Sequence, residues 1–153
     1  MPFTFGDRSN KNMNGLHPDM ILLAQLAIQI SEVDFAVIEG FRSPERQAEL
    51  VLAGASQTKM SKHLIGHAID VAAYVHGTIC WDWPYYPKIA SAMQAASKEL
   101  GIPVVWGACW DRQLASLTDD LVAEVGHYKS RRNGKAFIDS GHFELRMDTG
   151  LTT

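Results

Sequence analysis

The sequence predicts an α+β fold in which helices flank a small, mainly antiparallel sheet. Its 153 residues, 46% of them hydrophobic and 20% charged, suit one globular domain with a single core. Short apolar runs typical of strands mix with stretches of helical periodicity, without the regular strand–helix–strand alternation of a parallel sheet. No internal repeat, low-complexity tract or linker divides the chain, so we expect residues 1–153 to form one domain.

Signals in the N-terminal part predict an irregular lead-in followed by a helix, a strand and a second helix. Residues 1–16 are polar and rich in turn formers. Proline in the first turn and apolar residues at helical spacing predict a helix over residues 18–31. The apolar run at residues 35–38 predicts a buried strand. Ser43 is placed to cap a helix over residues 44–51.

The middle of the chain predicts a strand and a long helix. A polar loop over residues 57–62 precedes the apolar strand at residues 68–72. Residues 77–87 are rich in aromatic residues and proline, and their aromatic rings are open to two interpretations, a substrate groove or a core cluster. Helical periodicity then runs over residues 86–100, and Gly101 ends it.

The C-terminal part predicts two strands and a helix. Residues 102–106 predict a strand, in which Pro103 requires a start or an edge position. Leucine and valine spacing predicts a helix over residues 114–125, and residues 126–135 predict a polar, basic loop. Residues 137–138 and 142–145 predict the last strand region.

Charge and hydropathy exclude several classes of function. The formal net charge is −3 and the pI about 6.0, so the chain lacks the basic character of nucleic-acid-binding domains, and we expect no nucleic-acid partner. The one basic cluster, within residues 129–135, is interpreted as a solvated loop rather than a phosphate site. The N-terminus lacks a signal-peptide pattern, and the apolar run at residues 20–28 is too short to span a bilayer. We therefore expect cytosolic synthesis without membrane insertion.

The two cysteines, Cys80 and Cys109, do not form a disulfide framework. Cys109 is a candidate metal ligand, but it lacks the neighbouring cysteine of typical structural zinc sites. Each cysteine adjoins a tryptophan, which favours a role as a small buried hydrophobe.

His63 and Asp70 are the first candidate metal ligands. Zinc binds imidazole nitrogen and carboxylate oxygen, and a catalytic site keeps one position open for water. Asp70 lies in a predicted strand, and Gly66 allows the chain to turn so that His63 lies beside it. Such a pair also occurs by chance, and an exposed loop histidine with a strand-edge carboxylate is the alternative.

Asp139 and His142 form the second candidate pair. A three-residue offset in a strand places two side chains on opposite faces, but a turn at Ser140-Gly141 would bring both into one cleft. Asp139 is then a candidate general base, with a turn-forming aspartate as the alternative. Glu144 shares a strand face with His142, so it is a rival carboxylate or a partner that fixes the imidazole tautomer.

Arg42 follows the first strand and precedes a helix, where it can point into a cleft and bind a carboxylate or a developing oxyanion. The alternative is a salt bridge to Glu39 or Glu45.

Together these motifs resemble the zinc D-alanyl-D-alanine carboxypeptidase and dipeptidase superfamily, and within it the L-alanyl-D-glutamate endopeptidases that phages use as endolysins. The matching stretches, in family order, are Gly40-Phe41-Arg42-Ser43 with Gln47, residues 61–70 (SKHLIGHAID), Trp106-Gly107 and residues 139–144 (DSGHFE). The resemblance runs from about His17 to about Leu145. It implies the hedgehog/D-Ala-D-Ala-peptidase type of α+β fold.

The resemblance also implies roles for individual residues. His63, Asp70 and His142 would bind Zn2+, and Asp139 would be the general base on the attacking water. Arg42 would act in catalysis and contact the substrate carbonyl or carboxylate. Ser61 and Trp106 would also contact substrate. His67 falls on a variable position of the family motif and would be a neighbour rather than a ligand.

The implied function is zinc-dependent cleavage of the peptidoglycan stem peptide, at the L-alanyl-D-glutamate bond, for host cell lysis. Two alternatives are open: a D-Ala-D-Ala dipeptidase or carboxypeptidase with the same zinc site, and a non-catalytic, zinc-stabilised wall-binding module. We expect a monomeric catalytic domain without a separate cell-wall-binding domain. It would be made in the host cytoplasm and act on periplasmic peptidoglycan after release by a holin.

Overall fold

The structure is a computed structural model that describes residues 2–54 and 61–146. Residues 57–60 of the predicted polar loop lie outside the described residues. The helices are α1 Asp7–Asn12, α2 Pro18–Ile30, α3 Pro44–Leu52, α4 Tyr85–Leu100 and α5 Leu121–Arg131. Short 3-10 helices cover Lys62–Ile65 and Leu114–Ser116. The strands are β1 Phe35–Glu39, β2 Ala68–Val75, β3 Thr78–Cys80, β4 Val104–Trp106 and β5 His142–Leu145.

The strands form one antiparallel sheet in the order β1-β2-β5-β4, and β3 pairs with β2 as a hairpin. This confirms the predicted α+β class with its small antiparallel sheet. Strand β4 is an edge strand of the sheet and begins directly after Pro103. This agrees with the prediction for Pro103, because proline has no backbone N–H to donate within a sheet.

One apolar core joins the sheet to helices α2 and α4, which pack against each other. Helix α2 contributes its apolar stripe, and α4 contributes a second stripe that contacts β2 and β4. The largest fully buried side chains include Trp106, Tyr86, Phe35 and Phe143. The core therefore supports the middle of the sheet, where β2 and β5 run side by side.

The predicted irregular lead-in contains helix α1, which was not anticipated. The helix has no apolar stripe and is held by polar contacts to the edge strand β1. Ser9 Oγ accepts a hydrogen bond from the Val37 amide at 3.1 Å, and Asn12 Nδ2 donates to the Val37 carbonyl at 2.9 Å. Because these contacts join residues 25 to 28 positions apart, local periodicity gives no sign of them.

The helix predicted over residues 114–125 is divided in two. Residues 114–116 form a 3-10 turn, and helix α5 begins after Asp120, whose side chain accepts a hydrogen bond from the Ala123 amide at 3.0 Å. Helix α5 then continues to Arg131, so the prediction of a loop over residues 126–135 was wrong in its first half. Residues 137–138 are not a strand, and the Phe137 carbonyl accepts a hydrogen bond from the Trp110 indole instead.

No helix within the described part of the chain combines the length and apolar character needed to cross a bilayer.

Candidate metal centre and active site

His63 is positioned by a capped turn. The Ser61 hydroxyl accepts a hydrogen bond from the His63 amide at 3.2 Å and opens the 3-10 helix, which Gly66 closes with a φ of 72°. A side chain on Gly66 would also meet the Gly15 carbonyl at 2.5 Å, so glycine is required there. The imidazole Nδ1 lies 2.8 Å from the Gly40 carbonyl, which directs Nε2 toward Asp70.

Asp70 and His142 are brought together by strand register. Strands β2 and β5 pair antiparallel with Asp70 directly opposite His142. The Asp70 carboxylate lies between two imidazoles, with Oδ1 3.0 Å from His142 Nδ1 and Oδ2 3.4 Å from His63 Nε2. One donor atom from each of the three residues falls within 4.8 Å of the others.

Glu144 fixes the ring of His142 from behind. Its Oε1 lies 2.8 Å from His142 Nε2, so this nitrogen carries the proton when the ring is neutral and Nδ1 is free to face Asp70. The predicted alternative role of Glu144 as a partner that sets the tautomer matches this geometry. Lys62 Nζ in turn lies 3.1 Å from Glu144 Oε2 and donates to the Leu145 carbonyl at 3.1 Å. Sequence reasoning missed Lys62, which is buried although it was assigned to a polar loop.

The electrostatics of the site reflect this close packing of ionisable groups. Burial would raise the pKa of Asp70, but the hydrogen bonds from His142 and His63 outweigh it and hold the pKa well below its usual range. Burial would lower the pKa of His142, but its hydrogen bonds to Asp70 and Glu144 raise it to about 10. The imidazole of His142 thus lies between two carboxylates, which both favour its protonated form.

Asp139 enters the same cleft through a tight turn. The His142 amide donates to the Asp139 carbonyl at 3.1 Å, so residues 139–142 form a turn rather than a straight strand. This is the turn that the sequence required if Asp139 and His142 were to share a site. Burial, and then the negative charge of Asp70, raise the pKa of Asp139.

The Trp106-Gly107 pair holds this turn in place. The Trp106 indole donates to the Ser140 carbonyl at 2.8 Å, and the Asp139 amide donates to the Gly107 carbonyl at 2.8 Å. A Cβ on Gly107 would approach the Asp139 carbonyl oxygen to 2.1 Å, so glycine is needed for the close approach. Trp106 is fully buried and does not line the cavity, which corrects the predicted substrate contact: it supports the turn from the core.

Arg42 points into the cleft and is held on three sides. Its Nε donates to Glu39 Oε1 at 2.7 Å, a second nitrogen donates to Gln47, and a third lies 3.6 Å from Asp70 Oδ2. The Glu39 salt bridge that was considered as an alternative is thus present, while the guanidinium still lies beside Asp70. The buried Gln47 orients the arginine, as expected of a scaffold residue.

These side chains line one open cavity of about 730 Å³. Of the predicted site residues it brings together Arg42, Ser61, His63, Asp70, Asp139 and His142. His67 lies apart, packed edge-on against His17 with ring centroids 5.0 Å apart, as expected for a neighbour. Cys109 is buried, and burial together with the charge of Asp111 raises its thiol pKa to about 11, which disfavours the thiolate that a metal requires.

The donor set of His63, Asp70 and His142 fits a divalent metal ion. Both imidazoles have their remote nitrogen engaged by an acceptor, Gly40 for one and Glu144 for the other, so in a neutral ring the nitrogen nearer Asp70 is the unprotonated one that a metal requires. One donor atom from each residue lies within 4.8 Å of the other two, near enough for all three to contact one ion. Two imidazoles and one carboxylate also match the ligand composition of catalytic zinc sites.

Comparisons with known proteins agree with this geometry. Residues 1–146 match the family described as phage L-alanyl-D-glutamate peptidase. The chain is 36% identical over 149 residues to the L-alanyl-D-glutamate peptidase of Escherichia phage T5, a match that covers 95% of this chain and 99% of that protein. It is 33% identical over 106 residues to the enzyme of the same name from Listeria phage A118, covering 67% of this chain and 37% of that protein. The crystal structure of the Serratia marcescens L-Ala D-Glu endopeptidase ChiX superposes with a TM-score of 0.74 at 40% identity, covering 94% of this chain and 90% of that one.

Proposed function

We propose that this chain, a member of the phage L-alanyl-D-glutamate peptidase family, uses a zinc ion held by His63, Asp70 and His142. Membership of the family makes it a peptidoglycan endopeptidase. The bond that it would hydrolyse is the L-alanyl-D-glutamate bond of the stem peptide. One observation carries the proposal. The three candidate ligands, the carboxylate of Asp139 and the guanidinium of Arg42 all line the same cavity.

A zinc ion held by His63, Asp70 and His142 would lower the pKa of a water molecule to about 7 and would polarise the scissile carbonyl. Asp139 accepts the proton of the attacking water and passes it to the leaving amine. Its raised pKa makes it a stronger base than an exposed aspartate, and no basic side chain among the described residues lies within salt-bridge distance of it. It is thus the carboxylate of the cleft that is left free for proton transfer.

Arg42 supports the developing negative charge of the carbonyl oxygen. Its bonds to Glu39 and Gln47 fix the guanidinium plane before substrate arrives, so little reorganisation accompanies the reaction. Ser61 lines the same cavity, but its hydroxyl is engaged with the His63 amide. Its first role is therefore to hold the ligand loop, and any substrate contact would be secondary.

The decisive experiment is mass spectrometry of purified peptidoglycan after digestion. The wild-type protein should release fragments with a new amino terminus on D-glutamate and a new carboxyl terminus on L-alanine. Asp139→Asn should retain zinc and lose nearly all turnover, since it removes the base while preserving shape. Release of free D-alanine or D-alanyl-D-alanine alone would favour the dipeptidase or carboxypeptidase, and wall binding without new termini would favour a non-catalytic module.

We also propose that the chain acts as a single catalytic domain and as a monomer. Synthesis in the host cytoplasm, release by a holin and action on periplasmic peptidoglycan complete this proposal. Fractionation of host cells with and without a functional holin, followed by assay of each fraction, would test the order of these events.

A further inference from the structure

Three cationic side chains of the cavity wall have no acidic partner among the described residues. Arg132, Lys135 and Arg146 are exposed and line the same cavity as the candidate metal ligands. Among residues 2–54 and 61–146, no carboxylate lies within 4.0 Å of any of the three. Residues 132 and 135 belong to the basic cluster that the sequence suggested was a solvated loop.

Three other cations near the site are paired with carboxylates of the described residues. Arg131 donates twice to Asp111, at 2.8 and 3.0 Å, and Lys62 pairs with Glu144. Arg42 pairs with Glu39 and lies beside Asp70, as described above. Within the described part of the chain, the positive charge of the cavity wall that has no carboxylate partner is therefore concentrated on Arg132, Lys135 and Arg146.

The fold ties these side chains to the reaction centre. The Lys135 amide donates to the Arg132 carbonyl at 3.0 Å, so the two residues share the turn that ends helix α5. The segment that follows is anchored by Trp110, which donates to the Phe137 carbonyl at 2.9 Å and packs against the His142 ring with centroids 5.0 Å apart.

Arg146 lines the cavity from the C-terminal end of strand β5. It follows β5 two positions after Glu144 and four after His142, so the three residues share a strand face. Arg146 is held at this position by its amide, which donates to the Pro103 carbonyl at 2.9 Å.

The substrate of the proposed function carries an anion on one side of the scissile bond. Glutamate has two carboxyl groups, and whichever one continues the stem peptide, the other remains ionised unless it is amidated. The alanine on the other side of the bond carries no charged side chain. An unpaired cluster of cations is therefore complementary to the D-glutamate half and not to the alanine half.

We propose that Arg132, Lys135 and Arg146 bind the free carboxylate of the D-glutamate residue and select stem peptides in which that carboxylate is not amidated. This inference rests on the proposed function, because it assigns the leaving-group side of the same site. The arginines offer paired N–H donors to a carboxylate, and Lys135 adds a flexible point charge.

The test uses two synthetic stem peptides that differ only at D-glutamate, one with its free carboxylate and one with a carboxamide there. Wild-type protein should cleave the carboxylate form with the lower KM. Arg132→Gln, Lys135→Gln and Arg146→Gln should each raise KM for that form by about fivefold, the size of an exposed charge pair. The triple variant should raise it on the order of 50-fold, and kcat and the KM for the carboxamide form should stay unchanged.

Lys129→Gln is the matched control, since it removes the same charge from an exposed position on helix α5 that does not line the cavity. Its kinetics should equal the wild type on both peptides. Equal KM values of the wild type for the two peptides, or equal losses of the variants on both, would overturn the inference and leave the endopeptidase proposal standing. Failure to cleave either peptide would overturn both.

Discussion

The hydrogen bond between His142 and Glu144 allows a sharp test of how the site keeps its metal-binding tautomer. Glu144→Gln preserves the shape of the side chain and an oxygen acceptor for His142 Nε2. It removes the negative charge that both fixes the ring and pairs with Lys62. The residue does not belong to the candidate donor set, so any change in zinc affinity acts indirectly, through its contacts with His142 and Lys62.

The expected loss follows from the burial of the pair. Glu144 is 3% exposed and His142 is 5% exposed, so solvent screens their interaction little. Loss of such a supporting contact typically lowers metal affinity by about 10- to 100-fold, which corresponds to about 1.4–2.8 kcal/mol. The metal-free variant should also lose about 3 kcal/mol of unfolding free energy, because Lys62 is left buried without its counter-ion.

Zinc affinity would be measured at 25 °C by competition with a chromogenic chelator, after circular dichroism has shown that the variant is folded. Lys62→Met combined with Glu144→Gln removes the buried lone cation, so it should recover stability but not zinc affinity. Glu39→Gln is the matched control, because Glu39 bonds Arg42 and no candidate ligand, and its zinc affinity should stay within about twofold of wild type. A Glu144→Gln protein that binds zinc as tightly as wild type would refute the reasoning.

Two further predictions concern the turn and the protons of the site. Gly107→Ala should lower the unfolding free energy in urea by about 3 kcal/mol, since the new methyl would meet the Asp139 carbonyl at 2.1 Å. Gly126→Ala, in helix α5 with open space around it, should instead raise it by about 0.5–1 kcal/mol, and equal effects of the two would contradict the argument. Because the pKa of His142 is about 10 without metal, zinc binding at pH 8 should release about one proton, and the affinity should rise about tenfold per pH unit between pH 7 and 9. Calorimetry in buffers of different ionisation enthalpy would measure that proton, and zinc binding without proton release would contradict the assignment.

The sequence predicted the fold class, and it named most of the candidate residues that the structure brings together at the cavity, because many of the signals are local. Pro18 and Gly101 mark helix ends through their backbone preferences, and Ser43 does so through a side chain that accepts a hydrogen bond from the Arg46 amide. The family motif then supplied what local signals lack, namely that His63, Asp70 and His142 belong to one site.

The parts that sequence could not provide depend on strand register and burial. That Asp70 lies opposite His142 is a property of the pairing of β2 with β5, which separates the residues by 72 positions in sequence. Lys62 appears as a solvated residue, since a lysine is rarely buried without a partner and Glu144 lies 82 positions away. Trp106 was assigned to substrate from its place in a motif, whereas its burial shows that it serves the turn.

The division of residues 114–131 was readable in part. Asp120 is a favourable N-cap residue and indicates a helix that begins at residue 121. The apolar spacing on both sides of it predicted one continuous helix over residues 114–125 instead. Asp120 begins helix α5. At the end of this helix, Arg131 pairs with Asp111 and Arg132 lines the cavity. Because the cap was not used, residues 126–135 were predicted to be a solvated basic loop, whereas Arg132 and Lys135 line the cavity.

The central claim is that one zinc ion, bound by His63, Asp70 and His142, is required for stem-peptide cleavage. Its most direct test is a titration of zinc into metal-free protein while cleavage of the L-alanyl-D-glutamate bond is followed by mass spectrometry. Activity should be abolished by chelation, rise linearly with added zinc and reach its maximum at one equivalent, and His142→Ala should abolish the response. Full cleavage by the metal-free protein, or a maximum that survives loss of His142, would contradict the account.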